Sequence, residues 1–290
     1  MAKNAYSNTN RLLRAGRKYR NLTQTEVAKH IGVDQSAYSR MEKGLQNIYI
    51  EQWLMFCELA GIPVDSAQYG CIDFLTPVTI SHEKNEGGFK IAKDFSRFRA
   101  TSNRNTALLL EYAAHCLGPE KLDEFLESKK LDRDFFLLTG STLNIDFELN
   151  LLKTLIQKSD YSKNDLVNIP KALSKNQIHG RLGNNYLKDQ NPLSNIRRFV
   201  ENVEFYEKNF SWKILEENSH QVVLSVTPEE HLGESKFTSD PILQDHYCRY
   251  QRLLLENTTS HTQTKPVSIV EKECLYKSTV FRRCVYQVAQ

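Results

Sequence analysis

The chain is short of several things that would settle its chemistry at once. It has no run of roughly 18 apolar residues, so no membrane-spanning helix is expected. Its first ten residues are polar and lack the apolar stretch of a secretory leader, which makes a cytoplasmic location the expectation. The six cysteines (Cys57, Cys71, Cys116, Cys248, Cys274 and Cys284) are scattered, without a CxxC pair. In a chain of 290 residues they make no disulfide framework and read as free thiols of a reducing compartment. P-loop, GxSxG, HExxH and GxGxxG motifs are all missing. The paired acids Glu216-Glu217 and Glu229-Glu230 fall in polar turn sequence, so the chain is not expected to be an enzyme. It also lacks internal repeats and low-complexity tracts.

What is present is unevenly distributed. The net charge is only +3, and it all lies in the first segment, where nine Lys/Arg stand against six Asp/Glu through Asp65. Lys3, Arg11, Arg14, Arg17, Lys18 and Arg20 precede the first acid, Glu26. A basic helix facing phosphate has this pattern, and so does a plain solvated helix face.

Residues 7–66 read as a run of short helices. Thr23 with Glu26 three residues on forms a capping-box signature, Gly32 stops that helix, Asp34 caps the next, and Gly44 ends it. A fourth helix is expected over about Ile50–Ala60, closed by Gly61 and Pro63. Residues 67–104 read as a connector with short strands at Thr76–Ile80 and Phe89–Ile91. Helical patterning resumes from Asn105, from Pro119 and over 145–157, whereas 160–190 is polar and poorly periodic. A helix over Leu193–Lys208 leads into a hairpin that turns at Asn218-Ser219. Pro241 opens another helix, and strands follow at Val267–Tyr276 and Phe281–Val288. The expected architecture is multi-domain. An all-α head over 1–66 and a connector over 67–104 precede an α+β domain with an antiparallel sheet over 105–290.

The segment LTQTEVAKHIGVDQSAYSRMEKG, residues 22–44, resembles the helix-turn-helix of the Xre/lambda-repressor family, and the likeness spans roughly residues 9–66. Its positions make physical sense: Ala28 is small where two helices cross, Gly32 takes the left-handed turn, and Ile31, Val33, Tyr38 and Met41 face inward. The resemblance implies that Gln35, Ser36, Ser39 and Arg40 face base edges in the major groove. It also implies that Gln24 holds a phosphate at a helix N-terminus. Arg11, Arg14 and Lys18 lie at helical spacing and are candidates for further phosphate contacts. The loop after Gly44 reads Leu45-Gln46-Asn47, without the basic residue usual there. The bland alternative is a small helical module for protein contact. One such module covers little DNA, so a homodimer on two half-sites is expected, joined through the larger apolar domain because the head has little apolar surface to spare.

Near the end, Glu273-Cys274 and Cys284-Val285-Tyr286 resemble the closing strands of 4-vinyl-reductase-type sensor domains, which share the haem-nitric-oxide-binding-like fold. The turn from Lys277 to Arg283 departs from that pattern in having no glycine. The likeness implies a sensing role; for the cysteines the alternatives are separate buried thiols, which lead, zinc on Cys248, Cys274, Cys284 and Glu271 or Glu273, and a redox-sensitive pair of Cys274 with Cys284. No cofactor is the leading expectation. His115 and His246 fall on helices without a haem motif. Phe135, Phe136, Phe199, Phe205, Tyr206 and Tyr247 are candidates to line an apolar pocket or simply to form core. The expected function is a DNA-binding transcriptional regulator whose C-terminal domain senses a signal or ligand, a small apolar ligand being one candidate. The alternatives are an adaptor for a regulatory protein or peptide and, behind it, an enzyme fused to a DNA-binding head.

Overall fold

The computed structural model describes residues 9–157, 180–183, 191–234, 241–260, 268–274 and 283–289. The head is helical: α1 Thr9–Tyr19, α2 Gln24–His30, α3 Gln35–Glu42, α4 Ile50–Ala60 and the single turn α5 Ser66–Tyr69. Local chemistry sets these boundaries. Thr23 Oγ1 accepts from the Glu26 amide while the Glu26 carboxylate accepts from the Thr23 amide, closing the capping box. The Asp34 carboxylate accepts from the Ala37 amide at 2.7 Å. Gly32 and Gly44 both take positive φ, +73° and +72°, where a side chain would be strained. Leu12, Leu13, Val27, Ala28, Ile31, Tyr38, Met41, Trp53 and Phe56 fill the space between the helices.

After the head the chain folds into an α+β body, as expected. It contains the hairpin β1 Asn85–Glu86 with β2 Phe89–Lys90, and a small pair, β3 Thr101–Ser102 with β4 Thr142–Leu143. Its helices are α6 Asn103–Leu117, α7 Pro119–Ser128, α8 Asp146–Ile156, α9 Pro192–Glu201 and α10 Pro241–Ser260. Four strands, β5 Phe210–Glu217, β6 Gln221–Pro228, β7 Ser268–Glu273 and β8 Cys284–Ala289, form an antiparallel sheet in the order β5-β6-β8-β7. The Asn218 side chain makes the β5–β6 turn by accepting from the His220 and Gln221 amides. Val222, Leu224, Val226, Ile269, Tyr286 and Val288 are buried on the sheet. Helix α10 packs on β7, α8 and α9.

Three expectations change. Thr76–Ile80 is not a strand; it crosses the body irregularly, with the Val78 amide donating to the Glu204 carbonyl at 2.7 Å. The helix expected over 193–208 ends at Glu201 and is followed by one tight turn, Val203–Phe205. Residues 67–104 are no bare connector, because Ile72, Val78, Phe89, Ile91, Phe95 and Ala100 belong to the core. The polar residues between them, Asp73, Ser96, Arg99, Thr101 and Ser102, are buried too, which erases the alternation that marks a core segment in sequence. The polar stretch 160–190 lies outside the described residues except at 180–183.

Candidate nucleic-acid interface

Gln35, Ser36 and Arg40 project from α3 into solvent, with Ser39 and Gln24 half-buried beside them. The two glutamines are joined: Gln35 Nε2 donates to Gln24 Oε1 at 2.7 Å. Gln24 Nε2 in turn donates to Glu42 Oε2 at 2.7 Å, and Arg17 Nε donates to Glu42 Oε1 at 2.6 Å. This chain of bonds runs from the interior of the head to its exposed α3 face and limits the rotamers open to Gln35. Arg40 Nε donates to Gln46 Oε1 at 3.2 Å, so the loop after Gly44 orients Arg40 even without a basic residue of its own.

Sequence reasoning missed Arg17 and Glu42. The signal was present, because Glu42 follows Tyr38 and Met41 at i+4 and i+1, on the face already assigned to the core. A carboxylate there needs a cation from a neighbouring helix.

Arg11, Arg14 and Lys18, the candidates for phosphate contact, are placed otherwise. They face Asp132 and Asp134 beside the turn Arg133–Leu137 of the body. Arg14 Nε lies 3.0 Å and Arg11 Nε 3.4 Å from Asp134, and Lys18 Nζ bonds to Asp132. Burial alone would raise the Asp134 pKa, but the hydrogen bond from Arg14 and the charges of Arg14, Arg11 and Lys18 outweigh it and hold it below the ordinary carboxylate value. The body therefore neutralises one basic face of α1 and leaves the face formed by Gln24 and α3 open. A second contact joins the same parts: the Gly88 amide donates to the Tyr19 carbonyl at 2.9 Å, and a Cβ at Gly88 would collide with the Lys18 carbonyl.

With this geometry in place, comparison with known proteins shows what the head is similar to. The model of a helix-turn-helix domain family matches residues 11–68. The head is a helix-turn-helix domain. No curated protein matches the chain. Two solved structures align with 65% of this chain and 95% of theirs at 12% identity. They are the Fe(II) unliganded H-NOX protein from K. algicida, with a TM-score of 0.44, and an alanine-to-glycine mutant of it, with 0.43. At those scores the likeness decides neither the fold nor the activity of the body. No helix among the described residues is long and apolar enough to cross a membrane.

The body holds two further clusters. In the first, Glu148 is fully buried and accepts from Thr106 Oγ1 at 3.0 Å and the Tyr247 hydroxyl at 3.1 Å. Glu207 accepts from Trp212 Nε1 at 2.6 Å. Burial pushes the Glu148 carboxyl up to about 7 and the Glu207 carboxyl up to about 8, the latter helped by the charge of Glu148. Glu207 Oε2 and both amide atoms of Asn195 are buried without a hydrogen-bond partner.

In the second cluster, the ligand atoms of Cys248 on α10, Glu271 on β7 and Cys284 on β8 lie within 4.8 Å of one another. Cys274 is buried nearby and adds to the field on Cys248. Hydrogen bonding to Cys284, followed by burial, drives the Cys248 thiol far above its usual pKa. The same donor set fits a zinc ion, which would cross-brace α10 to β7 and β8 as a structural tie. Glu273 does not join them. A bulge between Glu271 and Glu273 breaks the strand's alternation, and the Glu273 carboxylate accepts from Arg283 Nε at 3.2 Å instead.

Of the two helical histidines, His115 is exposed and His246 buried. Phe135, Phe199, Tyr206 and Tyr247 are core, Phe205 packs partly buried against it, and Phe136 alone of the six lines the cavity described below.

Proposed function

We propose that the protein is a sequence-specific DNA-binding transcriptional regulator rather than an enzyme, and that the body sets how the head engages DNA. The observation that carries this reading is the open α3 surface, where Gln35 is held by Gln24 and Arg40 by Gln46. A glutamine can bond adenine in two places and an arginine can do the same to guanine. The buried, unpartnered atoms of Glu207 and Asn195 support a polar sensing point inside the body.

A dimer follows from the small footprint of one head. The premise that the head has little apolar surface to spare does not hold: Leu45, Tyr49, Ile50 and Leu54 are exposed on it, with Tyr49 at 70%. The head is therefore the better place for the dimer contact. Light scattering on the full chain and on Ile50→Glu tests this, with loss of the dimer in the variant expected.

The function is tested by selecting a preferred duplex from a random pool and then measuring Arg40→Ala on it. The variant should lose on the order of 1–3 kcal/mol of discrimination at one base position and keep its fold. Unchanged preference would move the reading surface off α3. A chain that selects no duplex at all would end the regulator reading.

A further inference from the structure

A cavity of about 260 Å³ lies where α1 of the head meets α6, α7 and the turn Arg133–Leu137 of the body. Leu110, Leu122, Leu126 and Phe136 form its apolar wall, and Arg11, Arg133 and Glu111 bring charge to it. We propose that this cavity binds a small organic anion, a monocarboxylate with an apolar tail. Its consequence for DNA binding, though not the binding itself, rests on the regulator reading above.

The volume lies just below the roughly 300–1,000 Å³ usual for ligand pockets, which selects a small molecule over a large cofactor. The wall provides the apolar contact, and the two arginines provide the charge selection. They are not equally committed. Arg133 Nη1 is held by both oxygens of Asp123, at 2.9 and 3.0 Å. Arg11 makes only long bonds, 3.4 Å to Asp134 Oδ1 and 3.3 Å to the Arg133 carbonyl. Charge-assisted bonds of full strength are about 2.7–2.9 Å long. Burial pushes the Arg11 pKa below its ordinary value, and the Arg133 charge adds to this against the pull of Asp134, so the guanidinium charge is under-compensated where it stands. A ligand carboxylate would exchange that long contact for a full-length, two-point one, while Asp134 keeps Arg14 and Lys18. Because Arg11 belongs to the head and the wall belongs to the body, such a ligand would occupy the joint between them.

The test is titration calorimetry on the full chain with octanoate, octan-1-ol and octylamine. Octanoate is expected to bind about tenfold or more tightly than the alcohol, and the amine more weakly still. Ala114→Trp, which fills the cavity, should abolish octanoate binding. Arg11→Met should bring octanoate down to the level of the alcohol. Circular dichroism checks that each variant is folded, and Ala107→Leu is a milder filling variant should the tryptophan unfold the chain. No heat with octanoate, equal binding of all three probes, or unchanged octanoate binding in a folded filling variant would each overturn the proposal. Duplex binding is measured separately. A chain that takes octanoate but selects no duplex keeps the site and loses the regulator reading; the reverse result loses the site and keeps the regulator.

Discussion

Among the described residues the head buries one carboxylate, Glu42, and satisfies it with Arg17 and Gln24, while the rest of its interior is almost wholly apolar. The body buries Asp73, Arg99, Arg104, Asp134, Glu148, Glu207 and His246; Asp73 is held by Arg104, Asp134 by Arg14, Glu148 by Thr106 and Tyr247, and Glu207 by Trp212. The two regions therefore divide the work differently. The head has an inexpensive interior and places its polar chemistry on the surface, where a duplex can reach it. The body takes its polar chemistry inside, where each charge must be matched and where protonation or a ligand can shift a balance of several groups.

The largest test of that contrast is the buried pair Arg104–Asp73, at 2.7 Å with both side chains 1% exposed. Arg104→Ala leaves Asp73 without its cation and should cost about 3–5 kcal/mol in chemical denaturation. A loss below about 1 kcal/mol would mean that water reaches the pair and that the body is no drier than a surface.

Next in size is the response to pH. Glu148 and Glu207 titrate at about 7 and about 8 in the folded chain, against an ordinary glutamate value of 4.5. Between 4.5 and those values the folded state holds more protons than the unfolded one, so stability falls as pH rises across that range. Asp73 and Asp134 act in the opposite sense. Their pKa values are lowered in the fold, so their contribution is present above 3.8 and lost as pH falls through the folded values. Melting temperatures from pH 3 to 9 should therefore peak on the acid side of neutrality, and Glu207→Gln should flatten the alkaline limb. A peak at pH 8 or above would overturn the picture of buried, protonated acids.

Asp134→Ala sharpens the comparison at the joint itself. Its partners Arg11, Arg14 and Lys18 are roughly one-quarter to one-third exposed, and solvent screening limits the loss of stability to about 1 kcal/mol. The DNA readout should move further. Releasing Arg11 and Arg14, while Lys18 keeps Asp132, should strengthen non-specific duplex binding and steepen its salt dependence by up to about 2 in the log–log slope. Unchanged salt dependence would show that this face of α1 never reaches phosphate. The smallest effect belongs to the reading surface, where Arg40→Ala should change stability by no more than about 0.5 kcal/mol.

The head was legible because its signals are local. A capping box needs four consecutive residues, a left-handed turn needs one glycine, and an amphipathic helix shows its stripe within three turns, so Thr23, Glu26, Gly32, Asp34 and Ile50–Ala60 could be placed from sequence alone. The sheet strands near the end were readable for the same reason, through alternation along β6 and β8. The connector was misread because its polar residues are as buried as its apolar ones.

What the sequence by itself determined is thus the helix-turn-helix head, the α+β class of the body, the residues presented on α3 and the hairpin that carries Cys274 and Cys284. Only the tertiary structure decided that Arg11, Arg14 and Lys18 meet Asp132 and Asp134, more than a hundred positions away. It alone showed that Glu271 sits with Cys248 and Cys284 while Glu273 turns to Arg283, and that an apolar cavity opens at the joint of the two regions. Each of these depends on a partner supplied by another element, or on a bulge that shifts a side chain by one place, and neither leaves a periodic mark in the residues around it.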